Sequence, residues 1–591
     1  MPENIYLLVP PKTTINQKTK FKLSTFTKNN NLILNIMKNI WIVFLFNSFF
    51  SFAQWTDNPS ASTVINASLG AKYVPKVVVS PQGNYFFSWY GGSGNLDMNL
   101  AYFDHSGVEI WEDGAMKVST HPQNSWVDDY DLQCDNDGNA IVVFSDIRDG
   151  GKSVAVNKID SLGNQLWGED GVFFSLTGSD EFQPKASVAP DNSVYVFYST
   201  NFSNGADNVI KIHRIEEDGT LSWGSSGKTF NNEFAVNWTL PSGKANEDNS
   251  LTIGFFRETG NFPATERWIK AFRCDTDGEL IYPDAIVTNA GGISAWDDLK
   301  MFGPGDGSVY FTWDDDRYFN NTAEVYAQGV DASGNTLWTP SGELLGTETS
   351  GHQLYEIPAG VNNSGEFVVL WNRLNSNQSA GALVYQRVSQ EGELMEESSG
   401  QTIISMSEQL QNGIGANQMG DSTFYAYRYF LQGSTFYTSL NMLALDSKGD
   451  MLWADPVEMV NSQFDRSHAN LSEFNANQAV VCWSDSYLGS DRVMAQNIFV
   501  DGELGSSPVL VNEINEKDNE YFVCFLNTTN SLKIKNTETT DELFIYNLFG
   551  QEVYHEEAFE SQHLNPFMKG TYIAVLIRNG KQLEVYKFFI N

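Results

Sequence analysis

Apolar residues in this chain come in short bursts with fixed punctuation between them. Residues 85–89, 140–144, 194–198, 251–256, 309–313, 367–371, 423–427 and 479–483 are each mostly apolar and end on an aromatic side chain. After each burst come a polar loop, a second run in which apolar and polar positions alternate, as in 154–159 and 325–330, and a tight glycine turn. The turn is clearest as Asp-x-x-Gly-x-x-x-Trp at Asp104-Gly107-Trp111, Asp160-Gly163-Trp167, Asp331-Gly334-Trp338 and Asp446-Gly449-Trp453. Glu216-Gly219-Trp223 and Asp275-Gly278-Tyr282 are weaker copies, while Gly392 and Gly502 lack the flanking Asp and Trp. Consecutive turn glycines lie 53–59 residues apart, a period too long for helical solenoids and suited to four-stranded blades. The pattern predicts an all-β chain with an eight-bladed β-propeller over residues 55–515.

Each repeat divides into strands A to D, of which B is the most apolar. Such a run is what a strand buried against both neighbouring blades requires. Glycine in the C–D turn supplies a positive φ, and the preceding Asp can accept bonds from the turn N–H groups. A Trp at the start of strand D is expected to cover the seam to the next blade, which makes the indoles structural.

Composition agrees: 13% aromatic residues and 48 glycines among 591 residues fit short strands joined by turns. The net charge of −37 repels nucleic acid and anionic membrane surfaces, so neither is expected as a partner. Cys134, Cys274, Cys482 and Cys524 stand far apart in strand-like contexts and read as small buried hydrophobes.

Both ends carry addresses. Met37-Lys38, an apolar stretch over 40–50 and Ser51-Phe52-Ala53 before Gln54-Trp55 have the layout of a secretory signal peptide, 37–53, with residues 1–36 an upstream extension. The stretch is too short to span a bilayer, so no transmembrane segment is expected in the mature protein. Residues 517–591 alternate in strands separated by glycine turns, which predicts a small immunoglobulin-like β-sandwich.

The C-terminal segment holds Tyr546-Asn547-Leu548-Phe549-Gly550-Gln551-Glu552-Val553, then Gly570-Thr571-Tyr572, then Lys587 before a run of apolar residues. In this it resembles the type A C-terminal sorting domain of the type IX secretion system, with Gly550, Gly570, Tyr572 and Lys587 as sorting-signal residues. The resemblance implies a bacterium of the Bacteroidetes type, Sec export, passage through the type IX machinery, removal of this domain, and surface anchoring or release. The propeller turn, best in Ala444-Leu445-Asp446-Ser447-Lys448-Gly449-Asp450-Met451-Leu452-Trp453, resembles the tryptophan-docking repeat of pyrroloquinoline-quinone-type propellers. It is one residue short between Asp and Gly, and the chain has no adjacent Cys-Cys pair, so the resemblance carries the fold and no cofactor.

Candidate chemistry belongs on the face where D–A and B–C loops meet, because loops vary on a rigid ring. The B–C loops repeat Asp and Arg, at Asp146-Ile147-Arg148, Asp315-Asp316-Arg317 and Asp485 with Arg492, a recurrence that points to ion pairs tying neighbouring blades. Aromatic residues interleave there: Tyr90, Phe202, Phe262, Tyr318, Tyr429 and Tyr487 after strand B, and Trp126, Trp238 and Trp296 before strand A. Trp126 with Asp128 and Asp129, and Trp296 with Asp297 and Asp298, each set an indole beside two carboxylates, a mixture suited to stacking on a sugar and bonding its hydroxyls. The acidic turns at Asp135-Asn136-Asp137-Gly138-Asn139 and Asp275-Thr276-Asp277-Gly278 lack the position-12 Glu of a calcium loop, so no metal is expected. Seven scattered histidines and the lack of a Gly-x-Ser-x-Gly favour binding over catalysis. The expected protein is a secreted or outer-membrane-surface propeller that recognises an extracellular glycan or protein. A polysaccharide hydrolase or a structural surface-layer component are the alternatives.

Overall fold

The computed structural model describes residues 55–505 apart from short stretches, among them 122–129, 295–297 and 431–437, and beyond these the strands lying between 522 and 590. The upstream extension 1–36, the signal peptide 37–53 and Gly550 lie outside the described residues. Among the described residues every regular element is a strand, and between residues 63 and 499 they form eight four-stranded antiparallel sheets that follow one another along the chain. Their innermost A strands touch in sequence around a circle, and the ring is completed where Arg466–Leu471 of blade 8 meets Ala71–Val79 of blade 1.

The strand B runs explain why the sheets stack. Side chains alternate across a strand, so in blade 2 Val142 and Phe144 pack into the seam with blade 1 while Ile141 and Val143 pack into the seam with blade 3. Both faces are interior, and the run is therefore apolar at every position. Each of the eight seams carries its own apolar cluster.

Blade 8 is assembled from both ends of the ring. Strands A to C come from Arg466–Leu471, Gln478–Tyr487 and Ser490–Phe499, and the outer strand is Thr63–Asn66, paired antiparallel with Ser490–Phe499. Gln496 Nε2 donates to the carbonyl of Thr56 at 2.7 Å, 440 positions away. The tryptophan absent after Gly502 is supplied here by Trp55.

Trp55 completes a ladder in which each indole reaches the turn of the next blade. Nε1 of Trp55, Trp111, Trp167, Trp223, Trp338 and Trp453 donates to the carbonyl of His105, Ser161, Glu217, Thr276, Gln390 and Val500, respectively, at 2.8–3.2 Å. In these turns Asp104 Oδ1 accepts from the N–H groups of Ser106 and Val108, both at 2.9 Å, and Gly107 takes φ +84°. Blade 6 lacks the indole: Gln401 donates to Gly449 O at 3.3 Å in its place.

Strand A carries a recurring break. The pairing of A with B slips between Tyr73 and Lys76, Phe182 and Lys185, Thr239 and Ser242, and Ser467 and Asn470. At those points Val74, Gln183, Leu240 and His468 adopt φ of +48 to +51°, and the first three precede a proline. A bulge tolerates Pro because the unpaired residue needs no ladder N–H. Left-handed backbone at a β-branched residue such as Val74 is strained, and neighbours hold it: Tyr130 donates to Val74 O, and Leu240 N donates to Ser199 Oγ, each at 2.8 Å.

Beyond the ring, Glu552–Glu557, Asp541–Asn547, Gly570–Arg578 and Lys581–Ile590 form a four-stranded antiparallel sheet. The hairpin of Phe522–Leu526 and Ser531–Lys535 lies near the edge strand Lys581–Ile590 of that sheet.

Candidate functional site

The Asp–Arg pairs form, but within blades rather than between them. Arg148 meets Asp146 at 2.5 Å, donates to Asp170 O at 3.1 Å and lies over the Phe173 ring, all in blade 2. Arg317 grips Asp315 through Nε and Nη2 at 2.8 and 2.7 Å, donates to Ser341 O at 3.2 Å and lies 3.3 Å from the Tyr326 centroid, all in blade 5. Arg492 pairs with Asp485 at 2.7 Å in blade 8. The expectation of inter-blade ties fails because the two-residue spacing of Asp146 and Asp315 lets Arg148 and Arg317 fold back on their own loops, while Arg492 faces Asp485 directly across the B–C hairpin of one blade. Inter-blade ties come instead from the indoles, from other cations such as Arg273, whose Nη1 donates to Ala332 O of blade 5 at 3.0 Å, and from inner-strand side chains such as Asp131, whose Oδ2 accepts from Ala186 N at 2.9 Å.

In blade 5 this clamp braces an aromatic loop. Phe319 N donates to Asp316 O at 3.0 Å, Asn320 N to Asp316 Oδ1 at 2.9 Å, and Asp316 N to Gly292 O at 3.2 Å. A Cβ on Gly292 would stand 2.5 Å from the Asp316 carbonyl carbon, so only glycine allows this approach. On the braced loop Tyr318 is 67% and Phe319 80% exposed, with Phe319 at φ +52°. Two adjacent aromatic rings held out in water by a rigid loop have no packing role there.

Blade 4 supplies the neighbouring sector. Arg257 lies 4.4 Å from the Trp268 centroid and donates to Glu233 at 2.7 Å; Lys270 bridges Glu233 at 3.1 Å and Asp284 at 3.0 Å. Burial works against ionisation of Glu233, yet the bonds and charges of Arg257 and Lys270 hold its carboxyl below its usual range. Beside it Phe234 is 96% exposed, next to Ala235 at φ +60°. The connection from blade 4 to blade 5 is fastened to both: Arg267 Nη1 donates to Ser294 O at 2.7 Å, and Gly292 receives Asp316.

Asp298 is exposed on that same connection. Trp296 and Asp297 lie outside the described residues, as do Trp126, Asp128 and Asp129 in the connection from blade 1 to blade 2. Two other loop aromatics are core: Tyr90 is fully buried against Tyr130, and Trp238 is 2% exposed and stacked on Phe255. Phe319 and Phe234 escaped the sequence reading, although Phe319 directly follows Tyr318 and Phe234 follows the polar run Asn231-Asn232-Glu233.

Two other polar groupings that suggest chemistry are structural. Tyr198 and His213 share a hydrogen bond of 3.0 Å, but both are buried, and His213 stacks on Phe174 of the preceding blade. Desolvation, with a smaller push from Lys211, lowers the His213 pKa to about 3. Asp135 accepts the N–H groups of Asp137 and Asn139 and pairs with Lys158 at 2.7 Å, which makes this acidic turn a closed structural unit. Among the described residues no three His, Cys, Asp or Glu side chains are placed to hold a metal ion.

No protein-family description and no curated protein matches the chain. Solved structures resemble it distantly. A polysaccharide lyase, Uly1, aligns with 76% of this chain and 93% of its own at 11% identity and a TM-score of 0.40. The β-propeller domain of the trilobed protease from Pyrococcus furiosus aligns over 67% and 99% at 8% identity and 0.36. An α-L-arabinanase of Penicillium chrysogenum, complexed with arabinobiose, aligns over 53% and 94% at 9% and 0.30. Likenesses at this level carry nothing about chemistry, and the propeller rests on the eight closed sheets themselves.

Proposed function

We propose that the chain is an extracellular binding propeller, exported by the type IX route, that takes a glycan on the loop face above blades 4 and 5. The observation that carries the reading is the exposure of Tyr318 and Phe319 on a loop fixed by the Arg317–Asp315 clamp. Flat apolar rings stack on sugar faces, and a carboxylate such as Asp298 accepts hydroxyl protons. Prior bracing lowers the entropic cost of binding.

The export reading is supported by where the sorting residues fall. Tyr572 stands opposite Asn547 on one side and Phe588 on the other, and Lys587 opposite Ile573, so the spaced motifs become neighbours on one sheet.

A glycan array probed with the mature propeller tests the reading, followed by incubation of each bound glycan. Binding that Tyr318→Ala and Phe319→Ala abolish is expected; cleavage of the bound glycan would make the protein a hydrolase, and binding unaffected by either variant would overturn the assignment of the site.

A further inference from the structure

The outer strands of the propeller are mostly too short or too interrupted to pair with anything. Those of blades 1, 2, 3, 7 and 8 are Met116–Lys117, Val172–Phe174, Lys228–Phe230, Val457–Val460 and Thr63–Asn66, none longer than four residues. Blade 4 has a nine-residue outer strand, Leu280–Thr288, interrupted by Pro283 and Asp284, and Glu343 opens the five-residue strand Glu343–Thr347 of blade 5. Proline, charge and brevity are the usual means by which sheet edges avoid adding foreign strands.

Blade 6 departs from this. Its outer strand Gln401–Ser407, of sequence Gln-Thr-Ile-Ile-Ser-Met-Ser, has seven residues with no charge, proline or glycine. It pairs with Gly381–Val388 on one side and ends the sheet on the other. The ladder slips twice along it, but Thr402, Ser405 and Met406 remain exposed. Against this strand lies a cleft of about 620 Å³ whose second wall is blade 7. Ile403 and Ile404 line it on one side and Met451 and Pro456 on the other, with Ser439 and Asn441 between, so it offers both apolar and polar places for alternate side chains of an extended chain. The charged groups lining it are Asp455 and Glu458, both exposed, with no lysine or arginine.

We infer that the edge strand Gln401–Ser407 and the cleft beside it dock an extended, lysine- or arginine-bearing peptide segment of a partner protein by strand addition. Main-chain pairing to the edge supplies affinity, the cleft takes alternate side chains, and the two carboxylates select a basic residue among them. The site is on the rim, built from residues distinct from Tyr318 and Phe319, and does not depend on the glycan reading.

The test uses the full chain and a panel of capped heptapeptides of alternating Thr and Val with one Lys moved through the sequence, read by fluorescence anisotropy. Saturable binding is expected, weakened about tenfold or more when Lys is replaced by Glu or when Asp455→Asn and Glu458→Gln are combined, as for loss of a close charge pair. N-methylation of alternate peptide amides should abolish it, since it removes ladder donors without changing the protein. Tyr318→Ala with Phe319→Ala should leave it intact. No binder in the panel at millimolar peptide, equal binding of the N-methylated form, indifference to the carboxylate variants, or competition by a glycan captured on the array would each overturn the proposal.

Discussion

Trp167 lies across Gly219: a Cβ built on the glycine would stand 2.9 Å from the indole Cδ1, while Nε1 donates to Glu217 O at 3.2 Å. Blade 2 thus closes on blade 3 through an indole on one side and a bare backbone on the other, and Trp338 meets Gly392 in the same way between blades 5 and 6. Trp167→Ala should destabilise the propeller by about 3–5 kcal/mol, as for truncating a large buried aromatic. Gly219→Ala should cost about 1–2 kcal/mol from its φ of +88° alone, before any clash with the ring. Denaturant titration of both variants measures these losses, and an unchanged midpoint for Trp167→Ala would mean that the indole does not seal the seam.

The two kinds of residue in the blade 5 loop should separate cleanly. Arg317→Ala leaves the Asp315 carboxylate, fully buried, without its partner and is expected to destabilise by about 3–5 kcal/mol. Tyr318→Ala and Phe319→Ala remove exposed rings and should leave the melting temperature within a degree or so, in line with ordinary surface substitutions. Differential scanning calorimetry distinguishes the two classes.

Acid should weaken the fold before its carboxylates titrate. An unfolded histidine takes a proton near pH 6.5, whereas burial holds His213 unprotonated in the folded chain down to about pH 3. The unfolded state therefore binds more protons across that window. Stability is full above pH 6.5 and falls as pH drops towards 3, at up to about 1.4 kcal/mol per unit from this group. Unfolding free energies at pH 7 and pH 5 should show that slope, and His213→Gln should flatten it.

If the terminal addresses operate as proposed, protein recovered from the surface or the medium begins near Gln54 and lacks residues from about 517 onward. Terminal peptide mass spectrometry reads this directly. Intact peptides containing Tyr572 and Lys587 in correctly exported protein would count against the sorting role.

What the sequence disclosed followed the range of the interactions. Strand B and the C–D turns were legible because their causes are local: two buried faces demand an unbroken apolar run, and Asp104 bonds to N–H groups two and four positions on. The seam-covering role of Trp167 and Trp338 could be read from the same repeat. Blade 8 could not be completed that way, because its indole and outer strand precede the first repeat, and nothing near Gly502 points to Trp55. The site was legible in part. Aromatic and acidic loop positions were visible, but exposure is set by neighbouring blades, so Tyr90 and Trp238 are core while Tyr318 and Phe319 stand in solvent.

The closing strand also sets a timetable. In synthesis Thr56 precedes its partner Gln496 by most of the ring, so no order of making blades one after another can finish the circle. Until the last blade arrives, Tyr85 and Phe87 on one raw face and Val480 and Cys482 on the other, which meet in the finished seam, stay open to any chain nearby. The strap Thr63–Asn66 that seals the ring is also the element by which two half-made chains could join, since its partner strand Ser490–Phe499 is the same in every copy.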